Sequence, residues 1–320
     1  MYYDYNGKNN NEGRDDHDDD YEEFFKEMPF YSKQIPYLPQ MYYPMIYSYP
    51  MMWSMQKLDE DLKDMYPKKH IMIYPMEEKL TFVIIHGSWA DVSQFDGVAA
   101  ELRKLGHSVY VPELPGHGVF TDKNVTHEQI TNAVVEYIEK KDLKHIVLLG
   151  HSFGGTVVAT VAQLIPDRID RLVFANAFAP LDGQSLYDQL PPPVQETFKQ
   201  LADASSNNTI MLPFPLFRDA FANTASLNEA KEMYSKITPE PAGPLFQKLN
   251  LKKFYSLQIP KSYLNLTEDI ALPPGPFAWH TNQSSHLGFY RYIEGDGDHF
   301  TTFQTEPKMI AQKFVEAGRP

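Results

Sequence analysis

A serine between two glycines is the residue whose surroundings most clearly predict chemistry. Ser152 lies in the Gly-His-Ser-Phe-Gly motif of residues 150–154, after a predicted strand at 145–150 and before an apolar, helix-length stretch at 154–165. A sharp turn from strand to helix would expose the hydroxyl at the carboxyl edge of a sheet, and side chains two residues to either side of the serine would clash there, so glycine stands at both positions. The helix dipole would favour a developing negative charge there. The pattern predicts a serine nucleophile for acyl transfer.

A serine hydroxyl needs a general base, and the base needs an acid that orients it. In a strand–turn–helix setting the acid and then the histidine follow the serine along the chain. Of the eleven histidines, only His299 follows the last predicted strand and precedes the last predicted helix. We therefore expect His299 to be the base, whereas His151 beside the serine is expected to pack.

The orienting acid should follow the strand that precedes the histidine loop. Asp269 comes just after the predicted strand at 261–266 and is the preferred candidate. Glu268, its neighbour, and Asp182, after an earlier strand, remain alternatives. Asp298 lies near His299 in sequence but suits a tight turn.

Two backbone amides are predicted to stabilise a tetrahedral oxyanion. One is the N–H of Phe153, directly after the nucleophile, and the other is the N–H of Ser88, in the loop after the predicted strand at 81–85. Phenylalanines of the later insertion could line an acyl pocket or simply form a core. The predicted substrate-binding residues are Trp89, Phe214 and Phe217.

The elements that must position these residues alternate between strands and helices from residue 80 onward, which predicts an α/β fold with a mostly parallel sheet and helices on both faces. A helical cap is expected to interrupt the alternation at about 181–258, with helical patterns at 194–203, 215–223 and 227–236. The predicted strands are 81–85, 108–112, 145–150, 171–176, 261–266 and 288–293, and the predicted helices outside the cap are 91–105, 126–140, 154–165 and 306–317.

Composition excludes several classes of function. The 320 residues include no cysteine, which excludes disulfide scaffolds, cysteine-ligated metals and thiol nucleophiles. The net charge of −13 argues against a nucleic-acid partner. Without an apolar run of membrane-spanning length or a signal-like N-terminus, we expect no membrane span and a cytoplasmic protein.

Residues 1–75 have a different composition and are predicted to be a disordered or extended tail, with the folded domain at 76–320. Residues 1–27 carry ten carboxylates against three basic residues, and fourteen aromatic residues fall within the first 56 positions. The Tyr/Pro/Met-rich part is similar in composition to segments of spore-coat and surface-layer proteins. The tail could therefore mediate protein assembly or association with such a layer, and its Asp-rich run could loosely bind a hard cation.

From residue 80 to 317 the chain resembles the α/β-hydrolase superfamily. Within it, the resemblance is to the small serine esterases that include plant methylesterases, hydroxynitrile lyases and bacterial relatives. The resemblance implies a Ser152–Asp269–His299 triad with the amides of Ser88 and Phe153 as oxyanion donors. The matching stretches are FVIIHGSW (82–89), GHSVYVPELPGHG (106–118), GHSFGG (150–155), RIDRLVFANAFAPLDGQSL (168–186), YLNLTEDIALP (263–273) and GDGDHF (295–300).

The expected function is hydrolysis of small or medium carboxylic esters through an acyl-enzyme, with no metal or organic cofactor. Hydroxynitrile lyases of this branch resemble one another in having a lysine after the catalytic histidine, where this chain has Phe300. This difference counts against lyase chemistry. A lyase, lactonase or perhydrolase reaction in the same site remains an alternative, as does a structural protein that keeps a hydrolase fold as a scaffold.

Overall fold

Short apolar segments form the strands, as the alternation predicts. The computed structural model describes residues 78–118 and 122–320. Within those ranges the strands are β1 (Thr81–Ile85), β2 (Ser108–Tyr110), β3 (Ile146–Ser152), β4 (Ile169–Ala177), β5 (Thr209–Ile210), β6 (Glu240–Pro241), β7 (Lys261–Leu266) and β8 (Arg291–Gly295). Six of these strands form one parallel sheet in the order β2-β1-β3-β4-β7-β8, and β5 pairs antiparallel with β6.

The helices of the described ranges are α1 (Asp96–Lys104), α2 (His127–Lys140), α3 (Gly154–Leu164), α4 (Pro192–Ala204), α5 (Phe214–Leu216), α6 (Leu227–Tyr234), α7 (Ala242–Phe246), α8 (Lys252–Ser256), α9 (Thr301–Thr305) and α10 (Pro307–Gly318). The capping box predicted at the start of α2 is present, because Thr126 accepts the Gln129 N–H and the Gln129 side chain accepts the Thr126 N–H. Short π-helical segments at Phe217–Phe221 and Trp279–Gln283 lie in connecting regions.

Alternation along the buried strands builds a core on each face of the sheet. Phe82 and Ile84 of β1 pack with residues of α1 and α10 in one cluster of fully buried side chains. Helices α2 and α3 contact each other, and α3 packs on β1, β3 and β4. The sheet is thus covered on both sides, as its all-parallel pairing requires, and the predicted fold class is confirmed.

Most predicted elements differ from the structure by a few residues at one or both ends, and three of these differences have a local physical cause. β2 ends at Tyr110 rather than at residue 112, where a proline cannot donate to the ladder. β8 runs from Arg291 to Gly295 rather than over 288–293, because Gly288 adopts φ 72° in a turn before it. The predicted helix at 91–105 begins as a 3₁₀ turn, in which the Asp91 carboxylate accepts the Ser93 N–H.

No helix within the two described ranges is long and apolar enough to cross a membrane. The predicted tail, at residues 1–75, lies outside the described residues. Its proposed assembly role and its cation site therefore stay predictions.

His127 gives the fold a pH dependence. Its ring is buried, with Nε2 2.8 Å from Thr156 Oγ1 on α3, and burial lowers the pKa of His127 to about 4. The unfolded chain binds this proton first as the pH falls, since the ordinary pKa is near 6.5. The contribution of His127 to stability is therefore complete above about pH 6.5 and is lost as the pH falls towards 4.

We expect His127→Gln to flatten the acid dependence of stability. Between pH 7 and pH 5, the free energy of unfolding of the wild type should fall about 2 kcal/mol more than that of the variant. Urea unfolding at both pH values measures this difference. The matched control is His145→Gln, because the wild-type His145 side chain is 82% exposed. Equal acid slopes for the wild type and His127→Gln would contradict the assignment.

Candidate active site

The turn that carries Ser152 is sterically constrained. Ser152 is the last residue of β3 and adopts φ 53°, a left-handed conformation that is uncommon for a residue with a side chain. A Cβ added at Gly150 would lie 2.5 Å from the Gly154 carbonyl carbon, so the turn excludes any side chain there. This is the strained strand-to-helix turn that the motif predicts, and α3 begins two residues after the serine.

The structure brings His299 and Asp269 together, although thirty residues separate them. His299 Nδ1 lies 2.6 Å from Asp269 Oδ2, and both side chains are almost fully buried. An ionised carboxylate can only accept, so Nδ1 donates its hydrogen and Nε2 keeps its lone pair. The pair thus fixes the tautomer that a general base needs.

Asn176, near the end of β4, holds Asp269 in place. Its amide nitrogen donates to Asp269 Oδ2 at 2.7 Å, and its amide oxygen accepts the Leu266 N–H at 2.6 Å. Asp269 Oδ1 accepts the Ala271 N–H at 3.0 Å. The carboxylate orientation that serves His299 is therefore fixed from two sides.

Aromatic rings surround the His299 imidazole. Trp279 stacks on it with ring centroids 5.2 Å apart and an interplanar angle of 9°. Phe221 meets it edge-on at 5.4 Å, and the His151 ring lies 4.5 Å away. Burial, followed by the nearby positive charge that His299 would carry when protonated, holds the pKa of His151 well below its ordinary value. His151 therefore packs as a neutral ring beside His299, in line with its expected packing role.

The loop after β1 approaches Ser152 closely. A Cβ added at Gly87 would lie 2.8 Å from Ser152 Cβ, so the loop can reach the serine only with glycine there. Ser88 follows, 7% exposed. The two residues that carry the predicted oxyanion amides, Ser88 and Phe153, thus lie on loops that adjoin the serine.

Trp89, predicted to bind substrate, is bound by the cap. Its N–H donates to Glu240 Oε2 at 2.8 Å, its indole Nε1 donates to the Ile210 carbonyl at 2.9 Å, and its carbonyl accepts the Thr238 N–H at 3.0 Å. Its φ of 60° is left-handed. The indole is 5% exposed and meets Phe221 edge-on at 5.3 Å. Trp89 therefore connects the loop to the cap, and a role in substrate binding stays a prediction.

The other predicted substrate-binding residues lie in the cap. Phe217 is buried, and its ring centroid lies 5.2 Å from that of Phe300, the residue after His299. Phe214 packs edge-on against Tyr234 at 5.2 Å, within the cap itself. Of the two, Phe217 is the one whose ring contacts a residue adjacent to His299 in sequence.

The alternative acids lie in other contacts. Asp182 accepts the Leu251 N–H at 2.8 Å within the cap region, and Glu268 has an exposed side chain. Asp298 is fully buried and accepts the Thr301 N–H at 2.8 Å and the Thr224 N–H at 2.9 Å. Asp298 therefore shapes the turn before α9 and ties it to the cap. Of the candidate acids, Asp269 is the one found against His299.

Sequence reasoning missed Asn176, Trp279 and Glu240 as residues of the site. Asn176 has a readable signal, since a polar residue ends an otherwise apolar strand. Trp279 lies in a Pro/Gly-rich loop between the acid and the base, where an aromatic residue could have been weighed. Glu240 has no local signal, because only tertiary folding brings it beside Trp89.

We expect Asn176→Ala to destabilise the protein by about 2 kcal/mol or more, because it leaves the buried Leu266 N–H without its acceptor. Asn176 also adopts φ 38°, which favours asparagine or glycine over alanine. The control Asn176→Gly removes the same hydrogen bonds without that backbone cost. Urea unfolding should rank alanine below glycine and both below the wild type. Wild-type stability in the alanine variant would contradict the account.

Comparisons with known proteins agree with the observed fold. Residues 82–316 match the alpha/beta hydrolase family. The structure is similar to that of an extracellular α/β-hydrolase from a Paenibacillus species, described as sharing structural and functional homology with tobacco salicylic acid binding protein 2. That protein is 65% identical, with a TM-score of 0.75, and the match covers 75% of this chain and 100% of that one.

Curated relatives include a carbendazim-hydrolysing esterase from Nocardioides, 40% identical over 34% of this chain and 47% of that protein. A putative chloroplastic methylesterase 15 from Arabidopsis thaliana is 24% identical over 75% of this chain and 58% of that protein. The chain spans about half the length of these curated relatives. The family resemblance is confirmed. Because the family match spans most of the chain, and because a strand–turn–helix carries Ser152 at the sheet edge, this chain belongs to the α/β-hydrolase family.

Proposed function

We propose that this hydrolase cleaves carboxylic esters with Ser152 as nucleophile, His299 as general base and Asp269 as the acid that orients it. The single observation that carries the proposal is the 2.6 Å contact between His299 Nδ1 and Asp269 Oδ2. With Nδ1 occupied, Nε2 is the nitrogen that can accept a proton, and the ring lies 4.5 Å from that of His151 in the Ser152 turn. The strained backbone of Ser152 supports the same role.

The reaction follows from these positions. Ser152 Oγ attacks the ester carbonyl while its proton passes to His299 Nε2, and the amides of Ser88 and Phe153 donate to the oxyanion. The imidazolium then protonates the departing alkoxide, which leaves an acyl-enzyme. Water, deprotonated by His299, attacks the acyl carbon, and the acid is released with Ser152 restored. Asp269 keeps its charge throughout and stabilises the imidazolium.

The substrates proposed are small or medium esters with an apolar or aromatic group. This follows from the rings of Trp279 and Phe221 on His299, together with Phe217 against Phe300. The printed names of the relatives, a methylesterase and a carbendazim-hydrolysing esterase, support ester-type substrates. Phe300 supplies no ammonium group after the base, which favours hydrolysis over lyase chemistry.

The cellular location of the protein stays a prediction. The sequence favours a cytoplasmic protein, whereas the similar Paenibacillus hydrolase is described as extracellular. Proteins with either location can use this mechanism, because the chemistry requires only the folded domain and water.

We expect the wild type to hydrolyse p-nitrophenyl acetate and butyrate, with a burst of p-nitrophenol wherever deacylation is slow. Ser152→Ala should lower kcat/KM by a factor on the order of 10⁴ or more, because no nucleophile remains. Asp269→Asn should lower kcat by about 10⁴, because the base loses its orienting charge and tautomer. Stopped-flow absorbance and steady-state rates measure both.

The control is Ser256→Ala, which removes an exposed hydroxyl on α8 and should leave both rates at the wild-type value. A folded wild type without burst or turnover on these and on aromatic methyl esters would contradict the proposed function. So would a Ser152→Ala variant with more than a tenth of wild-type activity.

A further inference from the structure

We propose that Glu240, a cap residue, positions both walls of the oxyanion hole and so couples cap placement to catalysis. The inference rests on the proposed function, because an oxyanion hole matters only where a tetrahedral intermediate forms. Glu240 is a positioning residue that acts through Trp89 and His117 and need not touch substrate.

The first wall is the loop that carries Ser88. Glu240 Oε2 accepts the N–H of Trp89, the next residue, at 2.8 Å. Glu240 pairs with Ile210 across the β5–β6 ribbon, and the Ile210 carbonyl accepts the Trp89 indole hydrogen. Two residues paired across the cap ribbon therefore hydrogen-bond both the backbone and the side chain of Trp89. These hydrogen bonds offset the strain of the left-handed backbone conformation of Trp89 and fix the peptide group next to the Ser88 amide.

The second wall is the turn that carries Phe153. The same Glu240 oxygen accepts from His117 Nε2 at 2.9 Å. The His117 ring stacks on Phe153, with centroids 6.1 Å apart and an interplanar angle of 21°. Glu240 therefore contacts one wall directly and reaches the other through a single ring.

The electrostatics of this contact explain why a carboxylate is needed. His117 Nδ1 lies 3.0 Å from the Pro115 carbonyl, so both ring nitrogens face oxygens that only accept, and the ring carries both hydrogens. Burial alone would lower the pKa of His117, but the Glu240 charge and these hydrogen bonds together raise it. Glu240 is 0% exposed, and its second oxygen, Oε1, is buried without a hydrogen-bond partner among residues 78–118 and 122–320.

A buried carboxylate with one unpaired oxygen lowers the stability of the folded state. Its presence is therefore better explained by a function than by stability. Other charged or titratable groups lie around the pair. His86 meets the His117 ring edge-on at 5.1 Å and contacts Glu113, and the Lys123 ammonium donates to the Gly116 carbonyl at 2.6 Å. In the described part of the chain, Glu240 is the group that joins this charged cluster to the cap.

The test compares Glu240→Ala and Glu240→Gln with Asp188→Asn, a control that alters another cap carboxylate. Asp188 accepts from Ser185 and Lys248 and has no contact with Trp89. Glutamine retains an acceptor for the Trp89 N–H but removes the charge opposite His117, so its effect should be intermediate. All proteins are used as full chains.

Two readouts separate positioning from folding. On p-nitrophenyl butyrate, Glu240→Ala should lower kcat at least thirtyfold with KM within threefold of wild type, Glu240→Gln should lower kcat three- to tenfold, and Asp188→Asn should change neither. Amide hydrogen exchange, followed by mass spectrometry, should accelerate in the peptide containing Ser88 and Trp89 for Glu240→Ala and not for Asp188→Asn.

The outcomes are distinct. A kcat for Glu240→Ala that matches Asp188→Asn, or a loss confined to KM, overturns the positioning role even if the enzyme is an esterase. Wild-type exchange at Ser88 and Trp89 in Glu240→Ala also overturns it. If the wild type itself lacks esterase activity, the proposed function fails, the catalytic coupling fails with it, and the exchange result alone decides whether Glu240 holds the loop.

Discussion

The hydrogen bond from His299 to Asp269 is the interaction on which the rest of the site depends. It joins the loop after β8 to the loop after β7. The imidazole can accept a proton from Ser152 only if the Ser152 turn lies beside it. Parallel strands make this arrangement accessible, because β3, β7 and β8 deliver their carboxyl ends to one edge of the sheet. Asn176 reinforces it from β4, the strand between β3 and β7. The sheet thus acts as a rigid frame for a short polar network.

The cap adds a second constraint. Its β5–β6 ribbon holds Trp89, and its phenylalanines pack against His299 and Phe300. The polar network therefore lies between two hydrophobic parts of the protein, which leave His299 only 2% exposed. The low dielectric there strengthens each hydrogen bond. A family that varies its caps can change substrates while the sheet and its turn keep the same chemistry.

Much of this could be predicted from the sequence because the signals are local. Strand-length apolar runs and the glycines around Ser152 are patterns of adjacent residues, and the capping box of α2 is an i, i+3 pattern. The expected acid and histidine follow from the order of the strands along the chain. The missed features are those that only tertiary contacts create. Glu240 lies far from Trp89 in sequence. Strand β8 begins at Arg291 and not at residue 288 as predicted, because Gly288 forms a turn at the start of the predicted strand.

The proposed geometry should make one serine, Ser152, reactive. The most direct measurement is to treat the wild type and His299→Ala with diethyl p-nitrophenyl phosphate and to map the adduct by mass spectrometry of peptides. Such a phosphorylating ester requires an activated nucleophile and forms a stable product. We expect one diethylphosphoryl group per wild-type chain, on Ser152, and essentially none on His299→Ala. An adduct on another residue, or equal labelling without His299, would contradict it.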